Sequence, residues 1–86
     1  MYTIEIEKRC LRELKQLDKS VVSRAFDILE TVIAKDPYAG KELKGKYKGL
    51  FSYRLSDYRI VFDIKMKQLI ILILRIRHRK NVYDGL

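Results

Sequence analysis

Within nine residues, "RIRHRKNVY" (residues 75–83) brings together Arg75, Arg77, His78, Arg79 and Tyr83. Arginine presents a planar fork that matches phosphate oxygens. Histidine is the side chain that gains and loses a proton near neutral pH, and this one is the only histidine in the chain. Tyrosine can stack on a nucleobase or close the chain end as an aromatic lid. Two more arginines stand upstream, Arg54 in "LFSYRL" and Arg59 in "YRIVFDI". Lys44, Lys46 and Lys48 in "ELKGKYKG" offer phosphate or partner contact. Together these types suit gripping a polyanion and moving a proton. No His, Cys, Asp and Glu cluster has metal-ligand spacing, so neither a metal nor a cofactor is expected. Cys10 is single, which rules out an internal disulfide and a four-cysteine metal site; it is expected to pack as a small apolar residue.

Such residues need a rigid mount. "YTIEIE" (residues 2–7) alternates apolar and polar, the mark of a half-buried strand. Leu11, Leu14 and Leu17 then recur every three residues, predicting a short helix from Lys8 to about Asp18. Ser20 is placed to cap a second helix. Its stripe is Val22, Ala25, Phe26, Leu29, Val32 and Ile33, and Pro37 ends it. Residues 36–49 hold the only proline, three glycines and four lysines without a period, and read as a surface loop. Three strands follow: residues 50–55, 58–64 and 68–78. Ser56-Asp57 makes a hairpin turn of the first two. The order β-α-α-β-β-β predicts an α+β fold, an antiparallel or mixed four-stranded sheet with both helices on one face.

Alternation sorts the side chains of those strands. Phe51, Tyr53, Leu55, Tyr58, Ile60, Phe62, Ile64, Ile70, Leu72, Leu74 and Ile76 are expected to meet the helices. Opposite them fall Ser52, Arg54, Arg59, Val61, Asp63, Leu69, Ile71, Ile73, Arg75, Arg77 and Arg79. Strict alternation puts His78 opposite Arg79, although strand ends twist. The hairpin sets Arg54 directly across from Arg59, a like-charge pair that costs up to about 1 kcal/mol. An anion seated between them is one reason for it; solvation, or pairing with Glu5, Glu7 or Asp63, is the plainer one.

The 86 residues form one domain, 1–86, with 48% hydrophobic residues. With 19 Lys+Arg against 11 Asp+Glu the net charge is +8, which attracts nucleic acid or an acidic protein. The apolar run Leu69–Leu74 is far shorter than the ~20 residues a membrane helix needs. No charged leader opens the chain, so no membrane association and a cytoplasmic location are expected.

"ELKGKYKGLFSYRLSDYRIVF" resembles the Leu-Lys-Gly loop, arginine-bearing strand and Asp-Tyr-Arg of the RelE/ParE toxin superfamily, and "RIRHRKNVY" resembles its His-Arg-x-x-x-Tyr ending, in the RelE branch. The resemblance runs through nearly the whole chain. It implies the toxin of a type II toxin–antitoxin pair, an endoribonuclease that cuts mRNA in the ribosomal A site and is silenced by a RelB-like antitoxin. Carried over by position, Arg59 and Arg79 stabilise the phosphate, Tyr83 stacks on or orients a base, Arg54 holds the backbone and His78 transfers a proton. Arg75, Arg77, Lys44, Lys46 and Lys48 are expected to contact RNA. Where some RelE enzymes carry catalytic lysines, this chain has Leu50 and Ser52.

The expected reaction needs no metal: a 2′-OH attacks its own phosphodiester, leaving a 2′,3′-cyclic phosphate and a 5′-OH. It requires a base, an acid and fixed positive charge. His78 is the first candidate for acid or base and Tyr83 the second. Two alternatives remain, a ParE-like DNA gyrase inhibitor and a non-catalytic nucleic-acid-binding module.

Overall fold

The computed structural model describes residues 1–86. Strand β1 (Thr3–Ile6) leads into helices α1 (Lys8–Leu14) and α2 (Lys19–Ile28). A wider π turn, Leu29–Ile33, continues α2, with Thr31 Oγ1 donating to the Asp27 carbonyl at 2.7 Å. Then come β2 (Lys41–Glu42), β3 (Leu50–Leu55), β4 (Tyr58–Lys65) and β5 (Ile70–His78). The sheet order is β1-β5-β4-β3-β2. β1 runs parallel to β5, and the remaining pairs are antiparallel. The α+β architecture with two helices is thus the expected one. The sheet has five strands rather than four because Lys41–Glu42 pairs with Phe51 and Ser52 at its edge, and two residues are too few to show a period.

Boundaries moved where local chemistry was weak. α1 stops at Leu14, which leaves Leu17 half-buried in the turn beyond, while Leu11 within the helix is 46% exposed. α2 starts at Lys19 after Asp18, so Ser20 lies inside the helix and no side chain caps it. The Ser56-Asp57 hairpin forms without glycine, and Ser56 takes the left-handed conformation at φ 54°.

Both helices pack on one face. The core joins Cys10 and Leu14 of α1, Ala25, Leu29 and Ile33 of α2 and its turn, and Leu55, Ile60, Phe62, Ile71, Ile73 and Ile76 of the sheet. Cys10 is fully buried, and burial, aided by nearby Glu13, pushes its thiol pKa up to about 11.

The simple alternation along β5 fails at one residue. Val61 pairs with Arg75 but Phe62 with Ile73, leaving Leu74 as a bulge. Before it, Ile71 and Ile73 face the helices; after it, Ile76 and His78 do, on the register with Ile64, Phe62, Ile60 and Tyr58. Ile71 and Ile73 therefore belong to the core, and not to the basic face expected for them. The same bulge puts Arg75 and Arg77 on the register of Val61 and Arg59, and at the edge of the sheet both guanidinium groups still reach Glu13 of α1.

Gly40 marks a close approach beside this sheet. A Cβ there would lie 2.9 Å from Phe62 Cζ and 3.0 Å from the Ser52 carbonyl. Its extended backbone, φ −75° and ψ 169°, suits any residue, so contact alone sets the cost. Gly40→Ala is expected to destabilise by about 1–3 kcal/mol, read as a drop of several degrees in the thermal midpoint. An unchanged midpoint would show that the Phe62 ring yields freely.

Candidate nucleic-acid interface

The sheet face away from the helices is not open. Lys41–Lys44 wall one side and the tail after His78 walls the other, leaving a cleft of about 720 Å³ lined by Lys41, Glu42, Leu43, Lys44, Ser52, Arg59, Arg79, Lys80 and Tyr83. They come from four pieces of chain: the Lys41–Lys44 segment, β3, β4 and the tail after β5. Arg59, the second residue of β4, is held across from Arg54 on β3 and Arg77 on β5. Arg79 follows the last strand residue, and its backbone N–H donates to the Asp57 carbonyl at 2.8 Å, which pins it beside the hairpin turn. Tyr83 stacks on Tyr47, ring centroids 5.3 Å apart and 22° from parallel.

Five cations and one carboxylate, Glu42, line this cleft. Every ion pair of the molecule lies elsewhere: Glu13 with Arg9, Arg75 and Arg77, and Asp63 with Lys65. Arg59 and Arg79 thus have no carboxylate partner. A row of unpaired guanidinium and ammonium groups in a concave, partly apolar wall focuses positive potential. It suits a phosphate bound by more than one group.

Four of the expected residues are brought together, Arg59, Arg79, Tyr83 and Lys44. The others are not. His78 lines a separate depression of about 200 Å³ with Glu13, Gln16, Leu17, Tyr58, Arg77 and Asn81. Its ring meets Tyr58 edge-on at 5.5 Å, and its Nδ1 accepts from the Lys80 backbone N–H at 3.2 Å. Pairing holds through Tyr58↔His78, so strand-end twist does not bring it round. Arg75 is only 1% exposed, with its Nη1 donating to the carbonyls of Val82 at 3.0 Å and of Asp84; buried in this way, it is withdrawn from contact with RNA. Arg77 leans on Glu13 at 3.7 Å. Arg54 is exposed outside the cleft, its Nε donating to the Ser56 carbonyl at 3.2 Å. Lys46 lies 5.5 Å from the Tyr47 ring centre, and Lys48 lines a shallow depression beyond the cleft.

Sequence reasoning passed over Lys41, Glu42, Ser52 and Lys80 as site residues. Only the charge run "GKELKGKYK" hinted at the first two; a lone glutamate among lysines has no motif of its own.

Comparison with known proteins identifies the class. The chain matches the family described as the ParE toxin of type II toxin–antitoxin system, parDE, over residues 4–83. It is similar to toxin RelG of Mycobacterium tuberculosis, 26% identical over 83 residues and covering 95% of each chain. The toxin–antitoxin complex RelBE2 of the same organism matches with TM-score 0.85 and 26% identity, over 91% of this chain and 98% of that one. The isolated Escherichia coli RelE toxin matches in fold with TM-score 0.76 at 20% identity, over 91% of this chain and 84% of that one. The fold and the relatives therefore define a type II toxin. The chain belongs to the RelE/ParE superfamily and is a RelE-like member of it.

Proposed function

We propose that this toxin is an endoribonuclease that cuts mRNA, in the ribosomal A site, and that a RelB-like antitoxin holds it inactive. The observation that carries this reading is the convergence of Arg59 and Arg79, neither ion-paired, with Tyr83 in one cationic cleft. Their guanidinium groups would hold the non-bridging oxygens of the scissile phosphate and meet the charge that grows on them. Glu42 is the only carboxylate of the cleft and takes the proton of the 2′-OH. The 2′-oxygen then bonds to phosphorus and the bond from phosphorus to the 5′-oxygen breaks. Tyr83 or the neighbouring Lys80 returns a proton to that oxygen, leaving a 2′,3′-cyclic phosphate and a 5′-OH. The stabilising charge is assigned to the arginines and lysines that line the cleft. Ribosomal alignment of the mRNA would supply part of the geometry.

The antitoxin reading draws on the solved complexes of similar toxins, among them the RelE–RelB complex of Pyrococcus horikoshii, TM-score 0.68 at 25% identity over 91% of this chain and 94% of that one. The surplus charge of +8 suits an acidic partner segment. No helix is long and apolar enough to cross a membrane, and action in the cytoplasm is part of the proposal.

Purified protein added to a translating extract, with mRNA ends mapped by primer extension, tests the reading. Codon-phased cuts support it. Intact mRNA with inhibited gyrase supercoiling would replace it with the ParE-like activity.

A further inference from the structure

The tail that carries Tyr83 into the cleft has few backbone ties. Its hydrogen bonds from Asn81, Asp84 and Leu86 close local turns, and only the Arg79 N–H reaches another part of the chain, at Asp57. Side chains do the rest. Four successive carbonyls, Val82 to Gly85, accept from Arg75, Tyr47, Arg75 and Arg9 in turn, at 3.0 Å for Val82, 3.4 Å for Tyr83 and 3.4 Å for Gly85. Both arginines share one carboxylate: Glu13 of α1 lies 3.5 Å from Arg75 Nε and 3.9 Å from Arg9 Nε. A guanidinium that is 1% exposed needs such a counter-charge, because desolvation otherwise outweighs what its hydrogen bonds return. Val82, whose carbonyl it holds, is itself fully buried.

We propose that Arg75, neutralised by Glu13, is a positioning residue that fixes the Val82–Asp84 carbonyls and thereby sets Tyr83 in the cleft. Arg75 brackets Tyr83 from both sides along the chain, and Tyr47 covers one face of its ring. Tyr83 also lines the cleft, where a nucleobase extends the stack, so the two rings act as one platform whose position Arg75 sets. Its role in catalysis rests on the cleavage reading above; its role in holding the tail does not.

Hydrogen exchange on the full chain tests the clamp without RNA. Arg75→Met is expected to speed exchange at the Asp84 and Leu86 amides by about tenfold or more while those of Ile60 and Phe62 stay within about threefold; Arg75→Lys restores part of the protection. Unchanged tail exchange in Arg75→Met overturns the proposal. Single-turnover cleavage supplies the second arm: Arg75→Met lowers the rate by about 100-fold with little change in KM, yet adds nothing further in a Tyr83→Ala background. Equal losses in both backgrounds would mark general destabilisation and sink the positioning role. Should the unaltered protein leave mRNA intact, the cleavage reading falls and hydrogen exchange alone decides the clamp. If Arg75→Met does not fold, Glu13→Gln, which weakens the same counter-charge, takes its place under the same criteria.

Discussion

Arg59→Ala and Arg79→Ala are each expected to lower the rate constant for mRNA cleavage by about 10²–10³-fold, with KM much less affected. Both side chains line the cleft without a carboxylate partner. Truncating either leaves no orphaned acid behind, and Arg59→Ala also relieves like-charge crowding with Arg54 and Arg77. Stability should therefore hold or rise slightly while activity collapses. Arg59→Lys should recover little, because an ammonium cannot reproduce a two-point grip on phosphate oxygens. The measurement is single-turnover cleavage on programmed ribosomes, paired with thermal melts of the same preparations. Two folded alanine variants that keep more than about a tenth of the wild-type rate would remove phosphate stabilisation from these residues.

Glu42→Gln is expected to cost about 10²–10⁴-fold in the same assay, the range for loss of a positioned general base, whereas His78→Ala should cost less than about tenfold. The amide keeps the shape of the carboxylate but cannot take a proton. His78 sits in the helix-side depression with its ring against Tyr58, so removing it loosens the end of β5 without touching the phosphate. The opposite ranking, with His78→Ala the more damaging, would mean that the strand end rearranges when RNA binds and that Glu42 is a bystander.

Much of the fold was legible along the chain. Strand alternation in residues 2–7 and 50–64 and the helical stripe from Val22 to Ile33 each depend on which side of one element is buried, and that is written in the element's own residues. The pairing of Arg54 with Arg59 followed from the length of one hairpin turn. The bulge at Leu74 did not, because a run that is apolar on both faces conceals a change of parity. The two-residue edge strand escaped for a related reason: Lys41 and Glu42 pair with β3 through backbone groups, to which side-chain patterns are blind.

Site residues divide along the same line. The sequence alone determined the supply of charge and the pieces of chain that hold it: guanidinium groups on the last strands and their tail, and lysines on the loop before them. Only the tertiary structure decided which of these are free to bind. Burial turned Arg75 into a tether for the tail, pairing with Glu13 drew Arg77 aside, and ladder register kept His78 on the helix side. Arg59, Arg79 and Tyr83 were left together with Glu42. The physical reason is that residue type fixes what a side chain can do, whereas its availability depends on neighbours distant in sequence, here the carboxylate of α1 and the carbonyls of the folded-back tail.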